Sequence, residues 1–178
     1  MIRCLLLAAF LYALPACTPA SQPATPLSPF FDLTGFFEEE LDRLPGIGTV
    51  TKSTTINGVT DTQRTAALDY RTELAPFLSA DINRPAWLDK YRADSLHQDG
   101  VLRRLTYTAL DDDLFTRELF VSFDGPAVDS IRIVKGSELM IADTRRELLY
   151  VPRSGYSIRG AQRVLLASDN RIAIEVEF

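Results

Sequence analysis

The sequence predicts an α+β fold, a curved antiparallel β-meander packed by two or three N-terminal helices. Two observations carry this expectation. Apolar residues recur every three or four positions between Phe30 and Leu44 and again between Tyr70 and Leu78, as on one face of a helix. From Val101 onward, β-prone runs are separated by Asp, Gly, Pro or Asn punctuation too short for crossover helices, which makes neighbouring strands antiparallel. The 178 residues suffice for one core, and 46% apolar with 24% charged residues is ordinary globular composition. A net charge of −5 lacks the basic excess of a nucleic-acid-binding surface, so nucleic acid is not an expected partner.

Residues 1–16 read as an export signal: Arg3 supplies a short positive region, Cys4 to Leu14 is uncharged and apolar, and Ala16 is small enough for a cleavage position. The apolar run is too short to span about 30 Å of hydrocarbon as a helix. Leu14-Pro15-Ala16-Cys17 resembles the lipobox of bacterial lipoproteins, in which the cysteine is acylated and the signal is cut just before it. The resemblance implies Cys17 as the lipid attachment site. Thr18 after it, rather than Asp, implies by the same resemblance the periplasmic face of the outer membrane. The alternative is a plain signal peptide that leaves a free thiol. Cys4 departs with the signal, so the mature chain carries one cysteine and no internal disulfide. Its 18 basic against 24 acidic residues, after loss of Arg3, give −6, and a body of that sign has no electrostatic reason to lie flat on an anionic bilayer.

Residues 17–29 form the tether. Pro19, Pro23, Pro26 and Pro29 among Thr, Ser and Ala favour an extended chain at about 3.1 Å per residue, with a docked arm as the alternative. The single domain then occupies 30–178. Ser28 is placed to cap a first helix with Pro29 at its first position, and Pro45-Gly46 stops it. Glu39 and Arg43 stand four apart in the favourable order on its polar side. Val50, Lys52, Thr54 and Ile56 share one side of a strand that turns at Asn57-Gly58, a pair suited to a tight hairpin. Asp69 caps a second helix, which Pro76 bends or ends near Ala75. "DINRPAW" starts a short helix with Trp87 and Tyr91 on one face, and is similar to segments of uncharacterised bacterial lipoproteins from which no functional residue carries over.

Seven β-prone runs follow: "VLRRLTYTAL", "FTRELFVSF", "VDSIRIVKG", "ELMIAD", "RELLYV", "GYSIRGAQRVLLAS" and "RIAIEVEF". In the last, Ile172, Ile174, Val176 and Phe178 alternate with Arg171, Ala173, Glu175 and Glu177. Its terminal Phe is similar to the closing strand of outer-membrane barrels, but Arg103-Arg104 and Arg145-Arg146 are unsuited to a lipid-facing band.

Chemistry-bearing residues are sparse. His97 is the sole histidine, expected in a solvated turn, and no Gly-x-Ser-x-Gly elbow or Gly-rich phosphate loop occurs. Asp111-Asp112-Asp113 lacks the alternating ligands and glycine of a calcium loop and reads as a charged turn. No enzyme, cofactor or metal site is therefore expected. Trp87 and Tyr91 are candidate interaction residues because aromatic clusters anchor interfaces, although core filling is the better account of them. Tyr156 and Arg159, near Gly155 and Gly160, are the second candidate pair, with Gly160 a pocket wall or a strand bulge. Two functions are compatible with these residues. One is a lipid-anchored binding or scaffolding module of the cell envelope, with a protein or cell-wall partner. The other is a periplasmic carrier holding a small apolar or lipid ligand between sheet and helices, for which a cavity would speak, as a filled core with an exposed patch would speak for the module.

Overall fold

A computed structural model describes residues 29–139, 142–164 and 169–178. The export signal, Cys17, Ser28 and most of the tether lie outside the described residues. Nine strands form one antiparallel sheet in the order β2-β1-β9-β8-β7-β6-β5-β4-β3. They are β1 Val50–Ile56, β2 Val59–Thr65, β3 Tyr91–Gln98, β4 Val101–Ala109, β5 Thr116–Asp124, β6 Ala127–Leu139, β7 Ala142–Val151, β8 Gly155–Val164 and β9 Asn170–Glu177. β4 to β9 run as the expected meander, and β3, unmarked in the sequence, pairs beside β4. The β1-β2 hairpin adds to its far side, β1 pairing with β9 through Thr51 opposite Glu177 and Ile56 opposite Ile172. The sheet is open, with β2 and β3 at its edges.

Two α-helices accompany it, α1 Leu33–Arg43 and α2 Tyr70–Leu78. They do not both precede the sheet as expected, because the β1-β2 hairpin separates them. The third expected helix is only a 3-10 turn at Pro85–Trp87, and Tyr91 already belongs to β3. α1 begins later than the Ser28-Pro29 signal suggests, for Asp32 is its cap and accepts from the Gly35 N–H at 2.9 Å. Arg43 pairs with Glu40 rather than Glu39, since Glu40 lies beside the Tyr150 hydroxyl and gains a second partner there. Asp69 caps α2 as expected, and the helix continues past Pro76 to Leu78.

Inward residues of β7, β8, β6 and β5 meet the helices: Leu148, Tyr150, Tyr156, Ile158, Ile131, Ile133, Leu119 and Val121 are buried in one cluster with Leu33, Phe37, Leu74 and Phe77. Aromatic rings occupy the centre of this layer. Phe37 lies 5.1 Å from Tyr150 and 5.2 Å from Phe77, and Phe77 lies 6.0 Å from Tyr156, mostly in the edge-on or tilted arrangements that ring quadrupoles favour.

Six strands, not seven, follow Val101: the "ELMIAD" run is divided between the end of β6 and the start of β7. β3 escapes a pattern search because only Tyr91 of its eight residues is buried, so it carries no alternation. His97 lies within β3 beside a register shift, and the turn that follows is made by Asp99 and Gly100, both at positive φ. Asn57 and Gly58 take the positive φ values of 50° and 89° expected of their hairpin.

Candidate functional site

The helices cover one face of the sheet, and the alternation of strand side chains sends a different set to the other. There Arg132 bridges Glu118 and Glu147, Arg159 pairs with Glu175 at 2.8 Å, and the guanidinium groups of Arg104 and Arg132 lie over Phe120. At the β7-β8-β9-β1 end this face forms a groove of about 480 Å³. Register explains it. Ala161 on β8 lies between Arg145 on β7 and Arg171 on β9, and Ala173 on β9 lies between Arg159 on β8 and Thr55 on β1. The two alanines make a low floor, and Arg145 and Arg171 stand on strands about 10 Å apart.

The β1-β2 turn closes one end. Arg171 and Asn57 exchange two hydrogen bonds, the Arg171 N–H donating to the Asn57 Oδ1 and the Asn57 N–H to the Arg171 carbonyl, each 2.9 Å. This brings Gly58 and Thr55 to the groove wall. Gly160 is no bulge: it pairs in register with Arg146 and Ile172, and a β-carbon there would meet Ile172 at 3.1 Å. Its missing side chain lets Ile172 lie across β8.

Arginine predominates in the groove lining: Arg145, Arg159 and Arg171 stand against Glu147, which Arg132 engages, while Glu175 beside the groove pairs with Arg159. Arg145 and Arg171 have no ion-pair partner among the described residues. Each guanidinium presents a planar fork of donors suited to carboxylate or phosphate oxygens, so the arrangement can hold an anionic group.

Of the residues singled out by sequence, Arg159 belongs to this groove. Tyr156 stands on the opposite face, buried, and donates to Glu73 of α2 at 2.7 Å; burial, with that bond adding to it, raises its phenol well above the usual range. Tyr91 is also buried, donating to the Thr116 carbonyl at 2.8 Å, and burial pushes its phenol up to about 12. Trp87 packs half-buried beside Tyr91 with the Arg84 guanidinium 4.3 Å from its ring centre. This pair lies at the β3 edge, five strands from β8, roughly 24 Å away. Asp111 and Asp112 pair with Lys90 and Arg117. Arg145 and Arg171 were not legible as site residues, because only the pairing of β7, β8 and β9 gathers them.

A buried cation also escaped the sequence. Lys135 on β6 is 3% exposed and has no carboxylate partner among the described residues; its ammonium donates to the Pro76 carbonyl at 3.0 Å and the Ser79 hydroxyl at 2.7 Å, at the C-terminal end of α2. Burial, assisted by the charge of Arg146, lowers its pKa to about 8.

No known protein family, curated protein or solved structure matches the chain.

Proposed function

We propose that the chain is a lipid-anchored binding module of the cell envelope, held through Cys17 and presenting the arginine groove to an anionic partner. One observation carries the reading. An acidic chain gathers three arginines around a low alanine floor on the sheet face that the helices leave uncovered. The tether of residues 17–29 suits such a module, since an extended segment of this length holds the domain within about 40 Å of its anchor. The export signal and the lipobox resemblance favour the periplasmic face of the outer membrane. The carrier reading finds less support, because Phe37, Phe77, Tyr150 and Tyr156 fill the layer where a curved sheet would hold an apolar ligand.

The test is a photo-crosslinking residue at Ala161 in cells, with the adduct compared between the native groove and an Arg145→Glu, Arg171→Glu variant. A defined adduct lost on charge reversal, with the thermal midpoint unchanged, supports the module. A stoichiometric lipid that co-purifies with the protein and is indifferent to the charge reversal would shift the reading to the carrier.

A further inference from the structure

Two cations meet on the helix-covered face of the sheet, where α2 ends. Lys135 of β6 and Arg146 of β7 are direct register partners, so they project on the same face. Lys135 is buried and Arg146 exposed. Like charges set opposite each other on neighbouring strands are destabilising, and among the described residues no carboxylate pairs with either. Arg146 is the charged side chain that acts on Lys135. The acids near this end are engaged elsewhere: Asp112 pairs with Arg117, Asp111 and Asp113 act on Lys90, and Asp81 accepts from Thr34 and Asn83.

A cavity of about 100 Å³ lies against the pair, lined by Phe115, Lys135, Gly136, Thr144 and Arg146. That is the space of about three water molecules. Phe115 and Arg146 are exposed, so the cavity opens to solvent. Thr144 stands two residues before Arg146 on the same face, and its hydroxyl lies 3.3 Å from that of Ser137. The Lys135 ammonium has three protons to donate. Two go to the Pro76 carbonyl and the Ser79 hydroxyl, and its free side lies over the Phe115 ring, 4.6 Å from the centre. Phe115 is a wall of the cavity, so the third N–H is left on the cavity side.

We infer that this cavity is a binding site for a small oxyanion, a carboxylate or phosphate group held by the Lys135 ammonium, the Arg146 guanidinium and the Thr144 hydroxyl. The donor set suits such a group: a fork of N–H donors, a point charge and a hydroxyl, with no acid in the lining. An anion seated here offsets the repulsion between the two cations. The site lies on the opposite face from the arginine groove and does not rest on the anchored-module reading. It is also pH-dependent. Burial lowers the Lys135 pKa to about 8, and an adjacent anion raises it again, so by linkage the anion binds the protonated form more tightly and is released as pH rises through 8.

The experiment titrates the purified full chain by calorimetry with sodium acetate and, separately, with inorganic phosphate, at constant ionic strength set by sodium chloride. Saturable binding of one or both is expected at pH 7. Acetate stays ionised throughout, so its affinity should fall about tenfold between pH 7 and pH 9 as Lys135 loses its proton. Lys135→Met and Arg146→Gln should each weaken binding about tenfold or more, while Arg145→Glu with Arg171→Glu leaves it unchanged. Saturation should also raise the Lys135 pKa, read by NMR of its labelled ε-carbon. Arg146 is exposed, so Arg146→Gln carries the test even where Lys135→Met fails to fold. Binding of acetate alone or phosphate alone in this manner supports the site and identifies the group it takes. No saturable binding of either overturns the inference, as does binding that survives Arg146→Gln or that disappears with the groove arginines.

Discussion

Tyr150 and Tyr156 face each other across β7 and β8, and each donates its hydroxyl to a glutamate on a different helix. Tyr150 reaches Glu40 of α1, which Arg43 also holds; Tyr156 reaches Glu73 of α2, which Lys52 of β1 also holds. Two neighbouring phenols thus fix both helices on the sheet, and Lys52 ties the added hairpin to α2. A hydrogen bond to a charged acceptor contributes about 1.5–3 kcal/mol. Tyr156→Phe is therefore expected to lower unfolding free energy by that amount, measured by urea denaturation. Adding Glu73→Gln should cost less in the Tyr156→Phe background than in the native chain, since their bond is already gone.

Gly155 is the one glycine whose replacement the backbone forbids outright. Its φ is +142°, and a β-carbon would lie 1.9 Å from the Val176 carbonyl oxygen. Gly155→Ala should cost about 2–6 kcal/mol through strain and overpacking together, or prevent folding. Gly58, at φ +89° with open space around it, provides the comparison, and Gly58→Ala should cost only about 1 kcal/mol. Equal losses at the two sites would contradict the geometry.

Lys135 makes stability depend on pH. Its pKa is about 8 in the folded chain against 10.5 unfolded, so between these values the unfolded chain binds more protons. Stability then rises with pH across that window, and below pH 8 the full cost of burying the charge, about 3 kcal/mol, is present. Lys135→Met should flatten the profile between pH 8 and 10 and raise stability at pH 7 by about 1–3 kcal/mol, the lost bonds to α2 offsetting part of the gain. Denaturation at several pH values reads both effects.

Cys17→Ser should abolish incorporation of labelled palmitate and release the protein from the membrane fraction. Label that persists on the variant would remove Cys17 as the attachment site.

Trp87→Ala should lower stability by about 2 kcal/mol, less than the 3–5 kcal/mol of a fully buried aromatic, because the ring is half-covered by Tyr91 and Arg84. Its effect on crosslinking at Ala161 should be nil, since β3 and β8 are five strands apart.

Features set by neighbouring residues were legible in the sequence. Asp69 as a cap, Asn57-Gly58 as a turn, the apolar spacing of α1 and the alternation of β9 all depend on contacts within a few positions. They follow from side-chain geometry whatever the rest of the chain does. Ordering decided by distant partners was not legible. Nothing local tells β1 to lie beside β9, with Thr51 opposite Glu177, or marks Tyr91–Gln98 as a strand when its side chains stay in water. The groove belongs to this second class: Arg145, Arg159 and Arg171 are scattered singly along three strands, and only antiparallel register sets them around Ala161 and Ala173. Even Arg159 and Tyr156, three residues apart, fall on opposite faces because a strand alternates with period two, so their closeness in sequence marked one site where the fold made a core bond and a surface groove.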